Sequence, residues 1–102
     1  MTLDDLLDRL DSEWEDDGFL GRLRQGDFDP GGSERLLSLL RAIPEGGEEP
    51  TISRRLVALT WFIPQFMTWQ RERVAEVGGD VAALDSGINK VQELMFGFLG
   101  VP

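Results

Sequence analysis

The sequence predicts an all-α fold, and three observations carry that expectation. Apolar residues recur at helical spacing, glycines and prolines fall between the periodic stretches, and nowhere does the chain alternate apolar and polar residues as a strand does. The expected architecture is a compact bundle of four main helices with a short fifth, in a single domain spanning residues 1–102.

The first helix is expected over about residues 3–15. Leu3, Leu6, Leu7, Leu10 and Trp14 form one apolar stripe, and Thr2 is placed to cap it. Phe19, Leu20 and Leu23 suit the short fifth helix, weakened by Gly18 and Gly21, and GDFDPGG reads as the loop that follows. Ser33 is the expected cap of SERLLSLLRAI, a second amphipathic helix ended by Pro44, after which EGGEEP reads as a solvated linker.

Thr51 or Ser53 can start a long central helix that Gly78 stops after Val77. Its apolar face, from Ile52 through Leu56, Leu59, Phe62, Ile63, Phe66, Met67, Trp69 and Val74 to Val77, is broad enough to predict burial. Pro64 removes the amide that would reach the Thr60 carbonyl, so a kink is expected near residues 60–63. In the last segment Val81, Leu84, Ile88, Val91, Met95 and Phe98 step by three and four, as in a heptad seam, with Asp85 or Ser86 able to restart a shorter helix over 87–99.

The formal net charge is −9, and it is unevenly spread. Residues 1–50 carry 14 acidic and 5 basic side chains, whereas residues 51–102 carry 5 of each. Such a field repels nucleic-acid phosphate and attracts a basic surface, which disfavours direct DNA or RNA binding. The apolar block from Leu56 to Trp69 is shorter than the roughly 20 residues a membrane span needs, and anionic lipid would repel the chain, so no membrane role is expected. MTLDDLLDRLDSEWEDD lacks the basic and apolar regions of a secretory signal, which makes a cytoplasmic location the expectation.

Histidine and cysteine are both absent, removing the commonest general base, the usual zinc ligands and the thiol nucleophile. Ser86 and Lys90 lack S-x-x-K spacing, and no G-x-S-x-G occurs. Asp27, Asp29 and Gly32 match the start of a calcium loop, but Gly31 and Ser38 stand where two further ligands belong, so a turn is the better reading. The glycine pairs lack the lysine and strand of a phosphate loop. Neither an enzyme nor a cofactor or metal is expected.

Asp4, Asp8, Asp11 and Glu15 fall within about 60° of one another on a helical wheel, beside the leucine stripe. Like charges at that spacing cost helix stability, which leaves either pairing with arginines of the central helix or contact with a basic partner. Trp61 lies opposite the central apolar face, as a binding hot spot would, whereas Trp69 and Trp14 read as core. The expected function is a non-enzymatic acidic protein that masks a basic protein partner, most concretely an immunity or antitoxin-type inhibitor of a bacterial toxin. A variant of that reading is an inhibitor that mimics nucleic-acid charge. The alternative is a self-associating helical module or adaptor, a homodimer formed through Leu94, Phe96 and Leu99, because the final helix is apolar on more than one side.

Overall fold

The protein is seen in a computed structural model that describes residues 1–45 and 51–101. Among the described residues seven helices follow one another: α1 (Leu3–Glu13), α2 (Phe19–Leu23), α3 (Pro30–Arg41), α4 (Arg54–Thr60), α5 (Ile63–Trp69), α6 (Arg71–Glu76) and α7 (Val81–Leu99). Among the described residues there is no strand. The all-α expectation holds, with extents of 44 × 27 × 18 Å. Most of the EGGEEP linker, Gly46 to Pro50, lies outside the described residues.

At the start of α1, Thr2 and Asp5 close a reciprocal capping box, each side chain taking the other's amide. The helix buries Leu6, Leu7 and Leu10 and stops at Glu13, two residues earlier than expected, because the Trp14 and Glu15 amides close tighter turns onto Asp11 and Ser12. α2 then docks against the end of α1 with Phe19, Leu20 and Leu23 fully buried.

α3 begins at Pro30, three residues before the expected Ser33. Asp29 caps it by accepting the Gly31 amide, and proline fits the first helical position, where no N–H is required. Ser33 is carried into the buried side of the helix.

The central helix is not one helix but three. Ser53 caps α4, accepting the Leu56 amide. The first break falls at Trp61–Phe62, where Pro64 was expected to cause it, and Pro64 becomes the second residue of α5. The second break, at Gln70, was not expected. Gln70 ends α5 and opens α6, and it interrupts the apolar stripe between Met67 and Val74. The three short axes let Leu56 face α1 and let Ile63, Met67 and Val74 face the core.

Gly78 terminates α6 with a positive φ of 78°, while the Gly79 amide returns to the Val74 carbonyl. Asp80 caps α7 through the Ala83 amide. That helix runs unbroken for 19 residues, so the expected restart at Asp85 or Ser86 is absent. Gly87 costs helix propensity, but it lies buried where α7 crosses α3 and α5, close to Ser33 and Met67.

The core is made of Leu6, Leu7 and Leu10 of α1, the leucines of α2 and α3 with Phe19 and Ile43, Leu56 of α4, Ile63, Phe66 and Met67 of α5, Val74 of α6, and the Leu84, Ile88, Val91, Met95 and Phe98 stripe of α7. Four residues expected on an apolar face are exposed instead: Leu3 at the start of α1, Ile52, Trp69 and Val77. Ile52 and Val77 fall just outside helix ends, and Trp69 sits at the last position of α5, where the break turns it to the surface.

Candidate protein-binding surface

α1 and α4 lie side by side, and two contacts fix their register. Arg55 of α4 donates to Asp8 at 2.8 Å and reaches Asp11 at 3.8 Å. Toward the other end of the seam the Trp14 indole N–H donates to the Leu59 carbonyl at 3.1 Å. Part of the acidic stripe is thereby neutralised within the chain, and the Asp8 carboxylate raises the Arg55 pKa by hydrogen bonding to its guanidinium. Asp4 on the first turn and Glu15 in the turn after α1 are exposed and form no ion pair among the described residues. Asp16 and Asp17 extend the exposed carboxylates past the helix end.

The seam leads into a group of aromatic rings. Trp14 stacks on Phe62 with centroids 6.4 Å apart and meets Phe66 edge-on at 5.1 Å. Phe62 in turn touches Trp61 at 5.2 Å and Trp69 at 5.1 Å. Trp61 is 59% exposed, as its place on the polar face predicts, and Trp69 is 62% exposed, contrary to its expected place in the core. Trp14 is half-buried, packed against the core with its one polar atom satisfied. Phe62 joins the two indoles, as Trp61's neighbour in sequence and seven residues before Trp69 on the same side of the helix.

On the flank of the group, the Arg24 guanidinium lies 5.4 Å from the centre of the Phe66 ring, and Arg73 donates to the Arg24 carbonyl at 2.7 Å. Neither arginine is in an ion pair among the described residues.

At the opposite end of the chain Phe96 is 58% exposed and Val101 is exposed, with Leu99 at the margin. Leu94, expected on the same outward face, packs against the core.

One ionic centre is not visible as a motif. Glu13 is buried and takes two hydrogen bonds from the Arg35 guanidinium of α3, while also accepting the Phe19 amide at the start of α2. Glu13 falls on the inner side of the leucine stripe, which was its only signal.

The loop Asp27–Gly32 is held by an arginine. Arg22 bridges Asp27 at 2.8 Å and Asp29 at 3.0 Å, so both carboxylates of the partial calcium motif face a guanidinium. Among the described residues no group of three or more histidines, cysteines, aspartates or glutamates is arranged to hold a metal ion. No helix among them is long and apolar enough to cross a membrane. No family model, no curated protein and no solved structure matches the chain.

Proposed function

We propose that the protein is a non-enzymatic binding protein that masks a basic protein partner, acting in the cytoplasm as an immunity or antitoxin-type inhibitor does. The observation that carries this reading is the α1–α4 seam, where the exposed Asp8 and Asp11 of α1 meet Arg55 and where Trp14 stacks on Phe62, the ring that touches the exposed Trp61 and Trp69. Carboxylates steer a cationic partner over distances of about 10 Å at ordinary ionic strength, and aromatic side chains supply the desolvated anchor. The excess acidity of residues 1–50 points the long-range field the same way.

The test is to purify the protein with its partner from the native host, then measure association for the wild type and for Asp4→Asn, Asp8→Asn, Asp11→Asn, Glu15→Gln combined. The variant is expected to fold, to associate at least about 10-fold more slowly at low salt, and to lose most of its salt dependence. Equal association rates and equal salt slopes would defeat the reading.

A second reading, self-association, is favoured by the outward Phe96, Leu99 and Val101 near the end of the chain.

A further inference from the structure

Between α3 and α7 lies a cavity of about 180 Å³ that opens to solvent. Phe28 and Leu37 give it apolar walls, and Leu37 is itself a core residue. Phe28 meets Phe19 edge-on at 5.8 Å, while Arg22 ties down the residues on either side of it, Asp27 and Asp29. The wall is thus formed before any ligand arrives, as ligand sites usually are.

Two features of this cavity do nothing for the fold. Ser12, Thr60 and Thr68 each return a hydroxyl to the carbonyl four residues earlier, whereas the hydroxyl of Ser33, a residue only 8% exposed, forms no hydrogen bond among the described residues. No side-chain oxygen or nitrogen among them is sealed from solvent without a partner, so this hydroxyl opens onto the cavity that Ser33 lines. The other feature is Gly87, on the α7 wall. An alanine Cβ there would stand 3.4 Å from Ser33 Oγ, which the packing tolerates but which narrows the cavity at the hydroxyl. Glycine costs helix stability and keeps that space open.

Charge completes the lining. Glu34 of α3 and Lys90 of α7 both line the cavity, and neither is in an ion pair among the described residues. One carboxylate and one ammonium therefore reach it from different helices without pairing with each other. A cavity of about 150 Å³ holds benzene, so this one admits a body of roughly six to ten heavy atoms, smaller than a drug-sized ligand. A carboxylic acid of that size would suit Lys90 but be repelled by Glu34, and an amine the reverse. A molecule with both charges and an apolar side chain suits all of the lining.

We propose that the α3–α7 cavity binds a free α-amino acid with a branched apolar side chain. The Lys90 ammonium and the Ser33 hydroxyl donate to its carboxylate, Glu34 accepts from its ammonium, and its side chain lies against Phe28 and Leu37. The site shares no lining residue with the α1–α4 surface and does not depend on the basic-partner reading.

The probe is L-leucine, titrated into the full chain in about 150 mM salt and read by amide chemical shifts. Leucine is expected to bind with Kd of about 2 mM or tighter and to move the amides of Ser33, Glu34, Gly87 and Lys90. Isocaproate, which lacks the ammonium, and isoamylamine, which lacks the carboxylate, should each bind at least about 5-fold more weakly. Lys90→Gln and Glu34→Gln, both changes of exposed side chains, should weaken leucine at least about 3-fold each and leave the melting temperature unchanged. Gly87→Ala should weaken it by at least about 3-fold while melting at or above the wild-type temperature, a combination that a purely structural glycine would not give.

Absence of shifts at those four amides in about 20 mM leucine would overturn the proposal, as would shifts confined to residues away from α3 and α7. Equal affinity for either singly charged analogue, or full affinity in the Lys90→Gln/Glu34→Gln double variant, would overturn the assignment of an amino acid. A Gly87→Ala protein that binds leucine as the wild type does would overturn the part given to the glycine.

Discussion

Glu13 is buried while Arg35, which holds it bidentately from 22 residues further on, leaves half of its side chain in solvent. The carboxylate also accepts the Phe19 amide, so one side chain ties the end of α1 to the start of α2 and to the flank of α3. Its position lets the chain turn sharply at Trp14–Gly18 without leaving the first amide of α2 unsatisfied. The acidic surface between the two helices is thereby held in place from below.

Arg35→Met should destabilise the fold by about 2 kcal/mol, less than the roughly 3–5 kcal/mol typical of breaking a fully buried pair, because Arg35 is half in solvent and Glu13 keeps the Phe19 amide. Glu13→Leu is expected to cost more, since it removes the acceptor of that amide as well. Urea unfolding curves with unchanged slopes would measure both. Equal stability of all three proteins would mean that the centre contributes nothing.

Gly21 and Gly87 both lie inside helices, where alanine is ordinarily better by about 1 kcal/mol. Their surroundings give the substitutions opposite signs. A Cβ at Gly21 would stand 1.8 Å from the Glu15 carbonyl oxygen, a backbone atom that cannot move without undoing the turn. At Gly87 it would meet Ser33 Oγ at 3.4 Å and Met67 Cε at 3.5 Å, ordinary contact distances. Gly21→Ala should therefore destabilise by about 3 kcal/mol or more, and Gly87→Ala should stabilise by up to about 1 kcal/mol. Thermal melts of the pair decide the matter, with a stabilised Gly21→Ala the outcome that would contradict the packing.

What the sequence made legible follows from how local each signal is. The Thr2 cap, Leu6, Leu7 and Leu10 of α1, the short helix at Phe19 and the break before Pro64 are settled within one or two turns, and each lies where expected. The second break and the fate of Trp69 depend on tertiary packing. On an ideal continuous helix Trp69 lies about 120° from Ile63, at the edge of the apolar face, so its burial rested on neighbours covering a very wide stripe. Gln70 falls near the centre of that face, and a polar residue there was the one sign that the helix does not continue. Of the candidate surface, Asp4, Asp8, Asp11, Glu15 and Trp61 were visible as a pattern. The link to Trp69 was not, because it depends on Trp69 lying exposed and on the α1–α4 register, set by Arg55 and Trp14, that stacks Trp14 on Phe62.

Acid should weaken the contact between α6 and α7 through Asp85. Arg71 donates two hydrogen bonds to this carboxylate and lowers its pKa below the ordinary 3.8. A carboxylate whose folded pKa is depressed contributes stability that is present above its unfolded value and is lost as pH falls through the folded one. The loss should therefore appear below about pH 4, in a range where Asp5, lowered by the amide and hydroxyl of Thr2, contributes in the same direction. Both groups are exposed, so the effect of each is small. Asp85→Asn should lower the melting temperature at pH 6 and leave it unchanged at pH 2, and an equal difference at both values would rule out the titration as the cause.

The last turns of α7 test whether the chain meets a second copy of itself. Phe98 and Met95 are buried and Leu94 packs on the core, which leaves Phe96 and Leu99 of α7 and Val101 beyond it facing outward together. This is a smaller patch than a helix apolar on every side would present, and a stable dimer covers about 800 Å² on each partner. Self-association through these residues alone should accordingly be weak, with Kd above about 100 μM. Sedimentation equilibrium across about 10 to 500 μM is expected to show mostly monomer at the low end and some dimer at the high end. Phe96→Asp should abolish the dimer without lowering stability by more than about 0.5 kcal/mol, because the ring it removes lies mostly in solvent. A dimer that forms at 10 μM and survives Phe96→Asp would have to use another surface. The aromatic group around Trp61 and Trp69 would be the first to examine, and Trp69→Ala in the same experiment would show whether it is the one in use.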